Sequence, residues 1–230
     1  MQRGRRARLT AASAAQLSKL GAARLHLSEP TVFTALVVVL LLVMGPLARL
    51  LGGGLFNPCD AAVRWAQGAL GGRAALVRSS AQAAGAVVGA AAARALVPAA
   101  WYGGEALVAT LMPGADLVTG AGAEFMLTLL CTLTSLGVGD VFNNALARQA
   151  LPLAAVVFAL QAGARYSGPV LNPAVASAWS AIATRVPLTA AEHLVVFWAA
   201  PLSAALLAAY AHAGWQASRR APAAARAKAD

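Results

Sequence analysis

Two short apolar segments, each opened by Asn-Pro, recur 115 positions apart and leave this chain few architectures. One follows Asn57 and runs from Pro58 to about residue 70; the other follows Asn172 and runs from Pro173 to about residue 184. Asn is a good helix N-cap and Pro fits the first helical position, so each segment reads as a helix starting sharply at its proline. Helices of about 12 residues rise only about 18 Å, roughly half of a bilayer's hydrocarbon and headgroup thickness. Five other apolar stretches are long enough to cross. They lie at roughly Thr31–Leu51, Ala75–Val97, Leu117–Val138, Leu146–Ala164 and Glu192–His212.

The same 115-residue shift places the fourth stretch on the first and the fifth on the second. The order span, half-helix, span therefore occurs twice, with the third span between the copies. An odd number of crossings between them gives the copies opposite orientations, an inverted repeat with broken helices meeting at the centre. The shift also moves the third span onto residues 3–23, which carry Arg3, Arg5, Arg6, Arg8 and Lys19 and no apolar run of spanning length. The expected organisation is a basic arm over 1–29, a channel-like unit over 30–215 and a basic tail over 216–230. The half-repeats occupy about 30–100 and 117–213. The arm, rich in Arg, Ala and Ser, reads equally as a transit-like segment, a helix on the membrane surface or a wrongly joined start.

Composition supports lipid as the solvent. Of 230 residues, 60% are hydrophobic and 11% charged, against about 25% charged in soluble domains. Ala and Gly are abundant, which favours close helix packing through small residues, and Gly85-x-x-x-Gly89 in the second span is a signature of it. The net charge of +10 gathers at the ends and between the apolar stretches. That is a topology and headgroup pattern, and no nucleic-acid module accompanies it. Cys59 and Cys131 form no metal motif, and His26, His193 and His212 are scattered. No nucleophile–base pair or carboxylate pair is visible, so neither enzyme chemistry nor a cofactor is expected.

The paired motifs carry the chemistry. Irregular backbone at membrane depth is tolerated where it lines a cavity or is buried in protein. Half-helices entering from opposite sides bring two N-termini together, each with free N–H groups and a partial positive charge. The amides of Asn57 and Asn172 can cap their own turns and still offer an N–H to a lumen. Read singly, each Asn-Pro is a turn or a helix start; its repetition at one register favours the paired site.

The stretch Tyr166-Ser167-Gly168-Pro169-Val170-Leu171-Asn172-Pro173-Ala174-Val175 resembles the plant small basic intrinsic proteins, a divergent branch of the aquaporins. Thr119-Gly120-Ala121-Gly122-Ala123-Glu124 and Ala81-Gln82-Ala83-Ala84-Gly85-Ala86 are similar to the same branch. The first motif, Asn57-Pro58-Cys59, resembles that of the animal superaquaporins. The resemblance covers roughly residues 30–215. It implies an all-α membrane protein with an aquaporin-like inverted repeat: five clear transmembrane helices, the first of the usual six missing or degraded, and two half-helices at the midplane. It further implies a passive channel for water or small neutral solutes such as glycerol and hydrogen peroxide. A homotetramer in the endoplasmic reticulum membrane is the matching assembly.

By resemblance, Asn57, Pro58, Cys59, Asn172, Pro173 and Ala174 form the central constriction. Val37, Leu160, Pro169 and Val175 line a second one, where Val175 stands in place of the family's usual Arg. Glu124, followed by Thr128, implies a buried carboxylate accepting N–H groups from the loop before the second motif. The family's cytosolic placement of the first half-helix loop and the C-terminus agrees with Arg64, Arg73, Arg78, Arg219, Arg220, Arg226 and Lys228. An alternative is a non-conducting membrane scaffold or partner subunit, motivated by the pore wall left open without a first span.

Overall fold

A computed structural model describes residues 29–50, 54–96, 109–183 and 188–220, and among them every regular element is helical. In chain order these are α1 (Glu29–Leu50), α2 (Pro58–Ala66), α3 (Gly72–Leu96), α4 (Leu117–Val141), α5 (Ala145–Gly163), α6 (Pro173–Ile182) and α7 (Ala190–Arg220). Five are long and two, α2 and α6, are the Asn-Pro half-helices. By length and composition, α4, α5 and α7 can each cross a membrane, and α1 contributes a shorter apolar helix, Thr34–Ala48. The basic arm up to residue 28 and the tail from residue 221 lie outside the described residues.

Local chemistry sets the helix ends. Asp116 caps α4 in a reciprocal box: its Oδ1 accepts the Thr119 N–H at 2.7 Å, and Thr119 Oγ1 accepts the Asp116 N–H at 3.0 Å. Thr189 and Glu192 build the same box at the start of α7. Asn144 caps α5, accepting from the Leu146 N–H at 2.7 Å. α2 ends at Ala66, short of the expected residue 70. Gly68 there turns left-handed at φ 72°, and the N–H groups of Ala69 and Leu70 donate back to the Arg64 carbonyl. α7 runs past the expected His212 to Arg220, because its last turns have partners. The Gln216 amide donates to Asp140 at 3.2 Å, and the Arg219 guanidinium lies 5.1 Å from the Trp215 ring centroid. A π-helical turn at Val195–Ala199 interrupts α7 and buries Val196 and Phe197.

The repeat is visible in packing as well as in order. Each half-helix lies against the last helix of the other copy. On α2, Cys59 and Val63 pack on Ala205 and Ala209 of α7. On α6, Ala178 and Ile182 pack on Ala90 of α3, with Ala86 and Val87 beside it. Val63 and Ala178 are 115 residues apart, and so are Ala90 and Ala205. The core is therefore a set of small side chains that lets backbones approach closely. Among the described residues only a few large groups are fully buried, notably Phe197, Val196 and Glu124.

The Gly85-x-x-x-Gly89 ridge departs from expectation. A Cβ at either glycine would meet nothing within 4 Å among the described residues. In the second copy the counterparts are Ala200 and Ala204 of α7, which packs along α4. The counterpart of α4 itself falls at about residues 2–26, outside the described residues.

Candidate functional site

The two motifs meet end to end at the centre of the bundle and are cross-linked through their own amides. Asn57 Nδ2 donates to the Leu171 carbonyl at 2.9 Å. Asn172 Nδ2 donates to the Phe56 carbonyl at 3.0 Å. Leu171 and Phe56 are the residues immediately before the opposite asparagines, so the pair of bonds is reciprocal. The amide oxygens turn inward on their own helices. Asn57 Oδ1 accepts the Cys59 N–H at 3.0 Å, and Asn172 Oδ1 accepts the N–H groups of Ala174 and Val175 at 3.1 and 3.3 Å. Each primary amide carries two N–H donors. One is used across the pair, and the other has no hydrogen-bond partner among the described residues. Pro58, Cys59, Pro173 and Ala174 are buried behind the asparagines, which are themselves half-buried.

A buried carboxylate organises the loop before the second motif. Glu124 on α4 is fully buried. Its Oε1 accepts the Ser167 hydroxyl and the Val170 N–H, both at 2.9 Å, and its Oε2 accepts the Leu171 N–H at 3.0 Å. Leu171 has φ 53°, a left-handed conformation that costs a non-Gly residue roughly 1–2 kcal/mol. Both polar groups of that strained residue are held, its N–H by Glu124 and its carbonyl by Asn57. Glu124 thus positions the acceptor on which the first asparagine closes. Thr128, one turn along α4, is buried, and its hydroxyl has no partner among the described residues.

The loop before the first motif is held differently. The position matching Glu124 is Leu9, outside the described residues. Instead, Gln82 of α3 donates its amide to the Leu55 carbonyl at 2.9 Å. Leu55 matches Val170 under the repeat, whereas Gln82 matches Phe197, a core residue packed with Ala109, Ala176 and Val196. The two halves therefore anchor equivalent loops from non-equivalent helices. Nothing in the residue type marked Gln82 for this role; the one signal was an amide inside an apolar, Ala-rich span.

The four residues expected at the second constriction sit on adjoining elements. Val37 on α1, Leu160 on α5 and Val175 on α6 are half-buried, and Pro169 is buried. Gln161, next to Leu160, donates to Thr34 Oγ1 at 3.0 Å, one turn from Val37. A Cβ on Gly163 would stand 2.5 Å from Pro169 Cγ, so that ring closes against the end of α5. Val175 joins through its N–H to Asn172. All four are apolar. Two further contacts brace α6: Trp198 Nε1 donates to Ser177 Oγ at its middle, at 2.9 Å, and Arg94 of α3 donates to the Ile182 carbonyl at its far end. A cation at a helix C-terminus is electrostatically favourable. Among the described residues, no cluster of His, Cys, Asp or Glu could hold a metal ion.

Comparisons with known proteins agree with this architecture. The model of the family described as major intrinsic protein matches residues 9–212, so the match begins inside the stretch read from sequence as a basic arm. Aquaporin SIP1-1 of Zea mays is 37% identical over 189 residues, covering 80% of this chain and 72% of the maize protein. Aquaporin SIP1-2 of Zea mays is 36% identical over 186 residues, 78% of this chain and 73% of that protein. Aquaporin SIP1-1 of Oryza sativa subsp. japonica is 36% identical over 189 residues, with coverages of 78% and 73%.

Proposed function

The chain belongs to the major intrinsic protein family, and from that premise we propose that it is a passive membrane channel for water and small neutral solutes. The observation that carries this reading is the reciprocal pair of bonds from Asn57 to Leu171 and from Asn172 to Phe56. It fixes two amides side by side, each with one N–H left over. Two such donors grip the oxygen of a passing solute and interrupt the hydrogen-bonded file along which protons would hop. The two half-helix N-termini add positive potential at the same place, as in aquaporin-type pores. The central constriction in this reading is Asn57, Pro58, Cys59, Asn172, Pro173 and Ala174. Val37, Leu160, Pro169 and Val175 form a second, apolar one with no fixed cation, which admits solutes of glycerol size and hydrogen peroxide.

The working unit is the segment 30–215, assembled as a homotetramer with one pore per subunit in the endoplasmic reticulum membrane. Cross-linking in native membranes tests the assembly, and a fluorescent fusion tests the compartment.

Purified protein in liposomes tests the channel. Osmotic shrinkage should be faster than in empty liposomes, and Asn57→Asp with Asn172→Asp should change the relative rates for water and glycerol. Wild-type rates equal to those of empty liposomes for both solutes would leave a non-conducting membrane scaffold as the reading.

A further inference from the structure

We infer that Asp60 faces the lumen beside the first motif and gives this pore a preference for small cations. The inference rests on the channel reading and deepens it. Asp60 is the third residue of α2. Its neighbours Pro58, Cys59, Ala61 and Val63 are buried, whereas Asp60 is exposed. Much of the half-helix is covered, although Trp65 is also exposed: Cys59 and Val63 pack on α7, further contacts join it to α3, and its N-terminus abuts the second motif. Asp60 and Arg64, four residues apart, share the stripe left open. Among the described residues the Asp60 carboxylate takes part in no hydrogen bond or ion pair. An unpaired carboxylate turned into hydrocarbon would be very costly, so an exposed one at this depth belongs on a water-filled face.

The repeat supplies an independent argument. The position 115 residues on from Asp60 is Val175. Val175 stands at the same place on α6, beside the second motif and among the four apolar residues assigned to a constriction. The two half-helices are related in register and in packing, so the side chain that α6 turns toward the passage corresponds to the carboxylate on α2. The two mouths of the central constriction are thus chemically unequal, one apolar and one acidic.

The charge changes what the centre repels. A half-helix N-terminus carries about half a positive elementary charge, and a full negative charge in its first turn more than offsets it. Arg64 lies about 6 Å farther along the helix, and its long side chain can reach outward to solvent. Asp60 is therefore the formal charge nearest the narrow region on the α2 side; Arg64 acts on it electrostatically and offsets part of its charge, and α6 carries no cation. A small cation with N–H donors, such as methylammonium, meets an attractive acceptor where a pore lined only by amides and helix ends would repel it.

Methylammonium and glycerol uptake, measured side by side in proteoliposomes, test the inference. Asp60→Asn removes the charge at nearly constant size, and Asp60→Glu keeps it. The expected result is a methylammonium-to-glycerol permeability ratio that falls at least fivefold in Asp60→Asn and is retained in Asp60→Glu. An unchanged ratio in Asp60→Asn, with glycerol still conducted, overturns this inference alone. No conduction of either solute by the wild type overturns the channel reading and this inference together. A second measurement does not depend on flux. In Asp60→Cys protein, a membrane-impermeant, water-soluble thiol reagent should modify residue 60, located by mass spectrometry. A folded protein whose residue 60 stays unmodified from both sides of the membrane overturns the placement.

Discussion

At the scale of single residues, the centre depends on a carboxylate that touches neither asparagine directly. Glu124 accepts three hydrogen bonds, two of them from consecutive backbone N–H groups. Glu124→Gln keeps the volume but turns one acceptor into a donor, which then faces an N–H. If the amide oxygen stays with Ser167 and Val170, the amide nitrogen opposes Leu171. Leaving buried groups unsatisfied costs about 1–3 kcal/mol, so the variant should melt at lower temperature in detergent. Its permeability should fall with it, because Leu171 is the acceptor for Asn57. An unchanged melting temperature and water rate would contradict this. The asparagines, prolines and Glu124 could be read from sequence because each is unusual where it stands: a breaker inside an apolar run, or a charge inside a span. Leu171 could not. A leucine gives no sign of left-handed backbone, and its conformation is imposed by partners on α2 and α4. Gln82 and Ser167 were hidden for the same reason, since both act through bonds to loops distant in sequence.

At the scale of elements, glycines report where helices are pressed together. Gly163 ends α5 against Pro169 and Leu127, whose atoms would lie 2.5 and 2.6 Å from an added Cβ. Overpacking of this kind costs about 1–3 kcal/mol, and a proline ring has little room to move. Gly163→Ala should therefore lower the melting temperature. Gly85→Ala should raise it slightly, because Ala is better than Gly inside a helix by about 0.5–1 kcal/mol. A loss of stability at Gly85 would reveal a close neighbour on that side of α3. At the start of α4, the Thr119 N–H and hydroxyl hold the Asp116 carboxyl below its ordinary range. A depressed acid stabilises the fold fully above its unfolded value, about pH 4. That contribution fades as pH falls through the folded value. Thermal melts of Asp116→Ala should show a weaker acid-side loss than wild type. The positions of the seven helices among the described residues were legible from apolar length and capping residues. Their ends were less so: α2 stops at a glycine turn, and α7 is carried past its apolar stretch by contacts with Asp140 that only the fold brings near.

At the scale of the whole molecule, neither repeat completes itself. α2 packs on α7 and α6 on α3, and each asparagine closes on the backbone of the other half. Fragments 1–104 and 105–230 should accordingly be degraded when made separately and recovered as a complex when co-expressed, as pull-down of one by a tag on the other would show. Stable, protease-resistant accumulation of either fragment alone would contradict this. The inverted order was readable from the 115-residue offset, but the exchange of half-helices between copies was not, because small residues such as Ala90 and Ala205 carry no mark of their partner. The exchange also has a consequence in time. Ribosomes add roughly 5–20 residues per second, so the second motif follows the first by roughly 6–23 seconds. Through that interval Asn57 caps its own helix but has no carbonyl to close on, and the nascent first half must wait beside the translocation machinery with its polar end unmet. The final latch is a late event of biogenesis, and whatever delays translation between the motifs prolongs the exposure of the first.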